Sequence, residues 1–127
     1  MSRVLVVDDE ADIRLTLRLI LELAGHEILE AADGAEALVM VQQSPDVVLL
    51  DIRLPDIDGL DVLRIMKGDP SVAGIPVVCV SAHSSEDTLR RALALGAVAY
   101  LGKPFDFAHL RRVVADAAGP ADSRCVG

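Results

Sequence analysis

The sequence predicts an α/β fold in which a five-stranded parallel sheet carries helices on both faces. Three observations predict it. Short runs rich in Val, Leu and Ile alternate five times with helix-length amphipathic segments, the pattern of successive βαβ units. One run, Val47–Leu50, is wholly apolar, as a central strand buried on both faces must be. Right-handed crossovers leave few topologies for five such strands, and the doubly wound order 2-1-3-4-5 sets the ends of strands 1 and 3 side by side.

Each element has a local reason. Arg3–Val7 reads as the first strand and Ala11–Ala24 as a helix, closed by Gly25 at the position of a C-terminal cap. On that helix Ile13, Leu17, Ile20, Leu21 and Ala24 form a core-facing stripe, while Leu15, Leu19 and Leu23 extend the apolar arc beyond it. Glu27–Glu30 is a short strand, and the helix Gly34–Gln43 is stopped by Ser44-Pro45. Asp46–Leu50 is the central strand. Asp58-Gly59 opens a helix through Lys67, which Gly68-Asp69-Pro70 ends. Ile75–Val80 is a strand, Ser85–Leu95 a helix ending at Gly96, and Val98–Leu101 the last strand. Asp106 caps the final helix, whose Phe107, Leu110, Val113, Val114 and Ala117 fall on one face. The predicted domain is 1–118, with 119–127 a C-terminal tail or truncated linker.

Composition narrows the function classes. The chain has 127 residues, within the usual range for one domain. Hydrophobic residues make up 52% but aromatics only 2%, so aliphatic side chains must fill the core. Formal net charge is −8, which disfavours direct binding to nucleic acid, where clustered Lys and Arg are needed. No apolar stretch is long enough to span a membrane, and Met1-Ser2-Arg3 leads straight into a strand, so the expected compartment is cytoplasmic. The two cysteines, Cys79 in an apolar run and Cys125 in the tail, have neither metal-ligand spacing nor a disulfide framework.

Four apolar runs end in residues suited to phosphoryl or metal chemistry. Asp8-Asp9-Glu10 follows the first strand, Asp51 the third, Ser81 the fourth and Gly102-Lys103-Pro104 the fifth. Ligands of open α/β sheets bind outside the carboxyl ends of the strands. Three carboxylates, a hydroxyl and an ammonium therefore converge on one crevice. A divalent cation relieves their repulsion, and an oxygen-rich cage suits Mg²⁺. Taken singly, Asp8 and Asp9 read as turn or cap residues, Asp51 as a loop acid, Ser81 as a cap, Tyr100 as plain core and Lys103 as a surface lysine. Taken together they point to metal-assisted phosphoryl chemistry at Asp51.

In order and spacing, the acidic pair, Asp51, Ser81, Tyr100 and Lys103 resemble the receiver domain of two-component response regulators, over Arg3 to Ala118. The resemblance implies a flavodoxin-like (βα)5 fold and a phosphorelay switch that is a signalling domain rather than an enzyme. It implies Asp51 as phospho-acceptor, Asp8, Asp9, Asp51 and the backbone carbonyl of Arg53 as the Mg²⁺ site, and Ser81 and Lys103 as phosphate-contacting groups. Ala82 would leave room for the phosphoryl group, Tyr100 would be the switch aromatic, and Arg53 and His83 would tune phosphoryl lifetime. The Lys103-Pro104 bond is expected to be cis. The implied partner is a histidine kinase or histidine phosphotransfer protein, docking at Leu19 and Leu23, with the chain a monomer or a phosphorylation-dependent dimer. Val98-Ala99 stands where one large subgroup of DNA-binding regulators carries acids of an intermolecular salt-bridge network, which argues against that style of dimer.

Three rivals are weaker. A haloacid-dehalogenase-type phosphatase also uses an Asp nucleophile with Mg²⁺, but in an Asp-x-Asp motif after the first strand, where this chain reads Asp8-Asp9-Glu10. A flavin-binding module needs aromatics and a phosphate-cradling loop near that strand. A degenerate receiver would lack the acids and the lysine.

Overall fold

The computed structural model describes residues 2–82, 85–103 and 106–118. Five strands, β1 (Arg3–Val7), β2 (Glu27–Ala31), β3 (Val47–Asp51), β4 (Val77–Ser81) and β5 (Ala99–Gly102), form one parallel sheet in the order β2-β1-β3-β4-β5. They alternate with α1 (Ala11–Leu23), α2 (Gly34–Met40), α3 (Gly59–Gly68), α4 (Glu86–Ala94) and α5 (Phe107–Ala118). The predicted fold and strand order are those observed.

Strand side chains alternate between two cores. Leu5, Val7, Val48, Leu50, Val77 and Cys79 pack with Leu60, Leu63 and Met66 of α3 and Ala92 of α4. Val4, Val6, Val47, Leu49, Val78 and Val80 face the other way, onto Leu17 and Leu21 of α1 and Leu110 and Val114 of α5. Every residue of β3 is buried, which explains why this strand is apolar up to its last position and why Asp51, in that last position, is unusual.

Helix ends follow their sequence signals. After α1 and after α4 the chain turns through a glycine with positive φ, Gly25 at 94° and Gly96 at 110°. At each, the glycine N–H and the next residue's N–H return to carbonyls of the last turn (Glu22 and Leu21, Leu93 and Ala92), the paired closure of a Schellman motif. Asp33, Asp58, Ser85 and Asp106 accept backbone N–H groups at the helix starts.

Several boundaries differ from expectation. The second helix is α-helical only to Met40 and tightens into a 3-10 turn over Val41–Gln43. Ile75 belongs to the loop, because its N–H closes a turn onto Val72 and Pro76 then offers no N–H. Val98 precedes β5 and is 54% exposed. Phe107 was expected on the core face of the final helix but is 53% exposed. It opens α5, before the stripe of Leu110, Val114 and Ala118 reaches the sheet.

Candidate functional site

The sheet register brings the strand-end residues together. Val7 stands opposite Leu50, so the next residue of each strand, Asp8 and Asp51, lies at the same level. Asp51 is itself paired with Val80, one residue before Ser81. Ser81 is paired with Gly102, one residue before Lys103. The Lys103 N–H donates to the Ser81 carbonyl at 2.8 Å, which pins the lysine over the sheet edge.

From that position the Lys103 ammonium reaches two carboxylates, Asp8 Oδ2 at 2.8 Å and Asp51 Oδ2 at 3.3 Å. All three side chains are largely withdrawn from water, 15% exposed for Lys103, 3% for Asp8 and 7% for Asp51. Neither acid relies on the lysine alone. Asp8 Oδ1 accepts the Glu10 N–H at 2.9 Å and Asp51 Oδ1 the Arg53 N–H at 3.1 Å. Burial pushes the Asp51 carboxyl up, with the Arg53 N–H and Lys103 opposing and the Asp8 charge adding to the rise. Burial works to lower Lys103, but its bond to Asp8 and the charge of Asp51 outweigh that and leave it raised. Two acids sharing one ammonium leave the cluster one negative charge in excess.

Asp9 and Glu10, by contrast, are exposed. Together with buried Asp8 they can bring carboxylate oxygens within 4.8 Å of one another. Ser81 is 1% exposed at the end of β4, and Tyr100 is half-buried against the α3/α4-side core. His83, Pro104 and the tail from residue 119 lie outside the described residues, so the expectations placed on His83, on the Lys103-Pro104 bond and on the tail have no structural counterpart.

The sequence matches the family model described as response regulator receiver domain over residues 4–115. The chain belongs to this family. It is 39% identical over 124 residues to the phosphate regulon transcriptional regulatory protein PhoB of Pseudomonas aeruginosa, covering 94% of this chain and 54% of that protein. It is 34% identical over 114 residues to sporulation initiation phosphotransferase F of Bacillus subtilis, covering 89% and 90%. Thus the receiver chain spans about half of the first regulator but nearly all of the second. Among solved structures, the chemotaxis protein CheY4 of Vibrio cholerae superposes with a TM-score of 0.86 at 30% identity, covering 92% of this chain and 98% of that one. A CheY-like receiver domain protein from Methanospirillum hungatei gives 0.89 at 27% identity, covering 98% of both chains.

The donor chemistry of this receiver site fits a hard divalent cation. The groups at the strand ends are oxygens of Asp8, Asp9, Glu10 and Asp51, the ligand type that Mg²⁺ prefers. Glu10 belongs to the acidic cluster although the sequence pattern assigns it no ligand role; its adjacency to the acidic pair is the one signal for it. Two supporting contacts have no signal in the local sequence. Arg14 of α1 donates to the Asp8 carbonyl at 2.6 Å and pairs with Glu30 of β2 at 3.3 Å, bracing the backbone of the acidic turn. Asp56 accepts the N–H groups of Gly34 and Ala35 at 2.8 and 2.9 Å, tying the segment after Asp51 to the start of α2. Those amides hold the Asp56 carboxyl below its usual range. No helix among the described residues is long and apolar enough to cross a membrane.

Proposed function

We propose that this receiver domain is a phosphorylation-activated switch of a two-component phosphorelay, in which Asp51 accepts a phosphoryl group from a phosphohistidine on a histidine kinase or phosphotransfer protein. One observation carries this reading: the Lys103 ammonium lies between the buried carboxylates of Asp8 and Asp51 at the strand ends. A carboxylate held there is poised for nucleophilic attack, and the ammonium offsets the charge of incoming phosphoryl oxygens. In the transfer, an Asp51 Oδ forms the bond to phosphorus as the P–N bond breaks, and the electron pair leaves with the donor imidazole. Ionised Asp51 has no proton to lose, so positioning and charge neutralisation replace a general base.

Asp8, Asp9, Asp51 and the carbonyl of Arg53 would hold Mg²⁺, which when bound neutralises phosphoryl oxygens that otherwise repel the nucleophile. The new phosphoryl charge of about −2 draws the Ser81 hydroxyl towards it, Tyr100 turns inward, and the face built from α4, β5 and α5 is reshaped. This is a two-state equilibrium biased by phosphate contacts. Arg53 and His83, two positions beyond Asp51 and Ser81 in the sequence, are assigned the tuning of phosphoryl lifetime.

Docking of the histidine-bearing partner falls to the outer edge of α1, where Leu19 is 53% and Leu23 89% exposed. The unit spans 1–118 with a tail or linker from 119, works in the cytoplasm, and is a monomer or a phosphorylation-dependent dimer. Incubation with Mg²⁺ and acetyl phosphate, read by intact mass, tests the reading. One phosphoryl group is expected, absent with EDTA and absent from Asp51→Asn. No gain by a folded, Mg²⁺-binding chain from acetyl phosphate or from a phosphorylated kinase would overturn it.

A further inference from the structure

A cleft of about 450 Å³ opens between the segment after β3 and helix α4. Ser81 lines it, so it shares a wall with the strand-end site. Four charged side chains also line it, Arg53, Asp56, Asp58 and Arg91, and they differ in how far they are engaged. Asp56 already accepts the N–H groups of Gly34 and Ala35, and Asp58 that of Leu60. The guanidinium groups of Arg53 and Arg91 have no hydrogen-bond or ion-pair partner among the described residues. The acids of the cleft are thus tied to backbone, whereas both cations keep their donors open beside apolar Leu54 and Ile57. Open guanidinium donors next to an apolar wall suit a small organic carboxylate, which arginine pairs with through two parallel hydrogen bonds.

In-line displacement supplies the reason for a carboxylate to be there. Asp51 attacks from the buried floor, at 5% exposure, so the leaving group must lie on the outer side of the phosphorus. We propose that this cleft is the leaving-group subsite for small acyl phosphates and that Arg91 is its specificity-determining residue. The inference rests on the phospho-acceptor reading of Asp51. The Asp51 Oδ–P bond forms, the P–O bond to the acyl group breaks, and the electron pair stays on the departing carboxylate. No proton moves, and the new negative charge develops where Arg91 can pair with it.

Two donors separate this proposal from its premise. Acetyl phosphate releases a carboxylate, whereas phosphoramidate releases ammonia, which a guanidinium does not stabilise. With Mg²⁺ present and intact mass as readout, Arg91→Ala is expected to lower the second-order rate with acetyl phosphate about tenfold, the worth of one charge-assisted hydrogen bond. The phosphoramidate rate should stay level or rise, and Arg91→Lys should recover part of the acetyl phosphate rate. Equal loss with both donors, or no loss with either, would overturn the proposal while leaving Asp51 as acceptor. A wild-type chain that reacts with neither small donor would overturn the subsite, and one that also gains nothing from a phosphorylated kinase would overturn the acceptor reading with it.

Discussion

Gly59→Ala should damage this domain at its most constrained point, and Gly68→Ala in the same helix should not. Gly59 is the first residue of α3, and its N–H donates to the Ile52 carbonyl at 2.7 Å. A Cβ on Gly59 would meet the Asp51 carbonyl oxygen at 2.3 Å, Ile52 Cα at 2.6 Å and Ile52 O at 2.9 Å. All three are backbone atoms, so no side chain can rotate away. Their strand end is held in turn by the Ile52 N–H bond to the Val80 carbonyl at 3.1 Å. The shortest contact is about 1 Å inside normal van der Waals separation. Relief therefore means lifting α3 off β3. That loses the 2.7 Å bond, worth about 1 kcal/mol, and adds roughly 1–3 kcal/mol of overpacking. Alanine's better helix propensity returns at most about 1 kcal/mol. A net loss of about 2 kcal/mol is expected, or about 8 °C in Tm for a domain of this size. Gly68, at the other end of α3, has open space around its Cβ position and no positive φ. There the same substitution should stabilise by about 0.5–1 kcal/mol. Urea denaturation followed by circular dichroism measures both. Two variants within about 1 kcal/mol of each other would refute the steric argument.

Other perturbations have defined outcomes. Lys103→Met leaves Asp8 and Asp51 buried without their cation and should cost about 3 kcal/mol at neutral pH without Mg²⁺; Asp51→Asn removes the excess charge and should instead stabilise by about 1 kcal/mol. Urea melts in EDTA decide both signs. Burial pushes the Cys79 thiol from its usual 9.0 up to about 12. The unfolded thiol ionises first, so stability present below pH 9 is lost between pH 9 and 12, by up to about 4 kcal/mol. In a Cys125→Ser background Cys79→Ala should make this pH slope shallower, the part that remains including the raised Lys103, and disulfide reagents should label Cys79 only in denaturant. Asp56→Ala should weaken Mg²⁺ binding and helix α2 together, because it frees the segment carrying Arg53 from the Gly34 and Ala35 amides. Titration of Mg²⁺ beside a thermal melt would show whether the two losses travel together.

Apolar patterning and turn chemistry suffice for the sheet, its order and the residues at the strand ends. Apolar runs flanked by turn signals encode strands locally, and right-handed crossovers convert their succession into 2-1-3-4-5. Because the sheet is parallel, residues that directly follow strands meet at one edge, so Asp8, Asp51, Ser81 and Lys103 could be placed from spacing. The receiver resemblance added roles to those places. Tertiary structure decided what periodicity does not carry. Lys103 lies nearer Asp8 than Asp51, a choice fixed by its backbone bond to Ser81. Phe107 shares the helical spacing of the buried stripe yet faces solvent, because it stands one turn before α5 reaches the sheet. Asp56 and Arg91 belong to a loop and an exposed helix face whose local sequence signals nothing. Their partners are set by where distant segments come to rest, and only the packed chain brings the Gly34 amides to one and the Ser81 wall to the other.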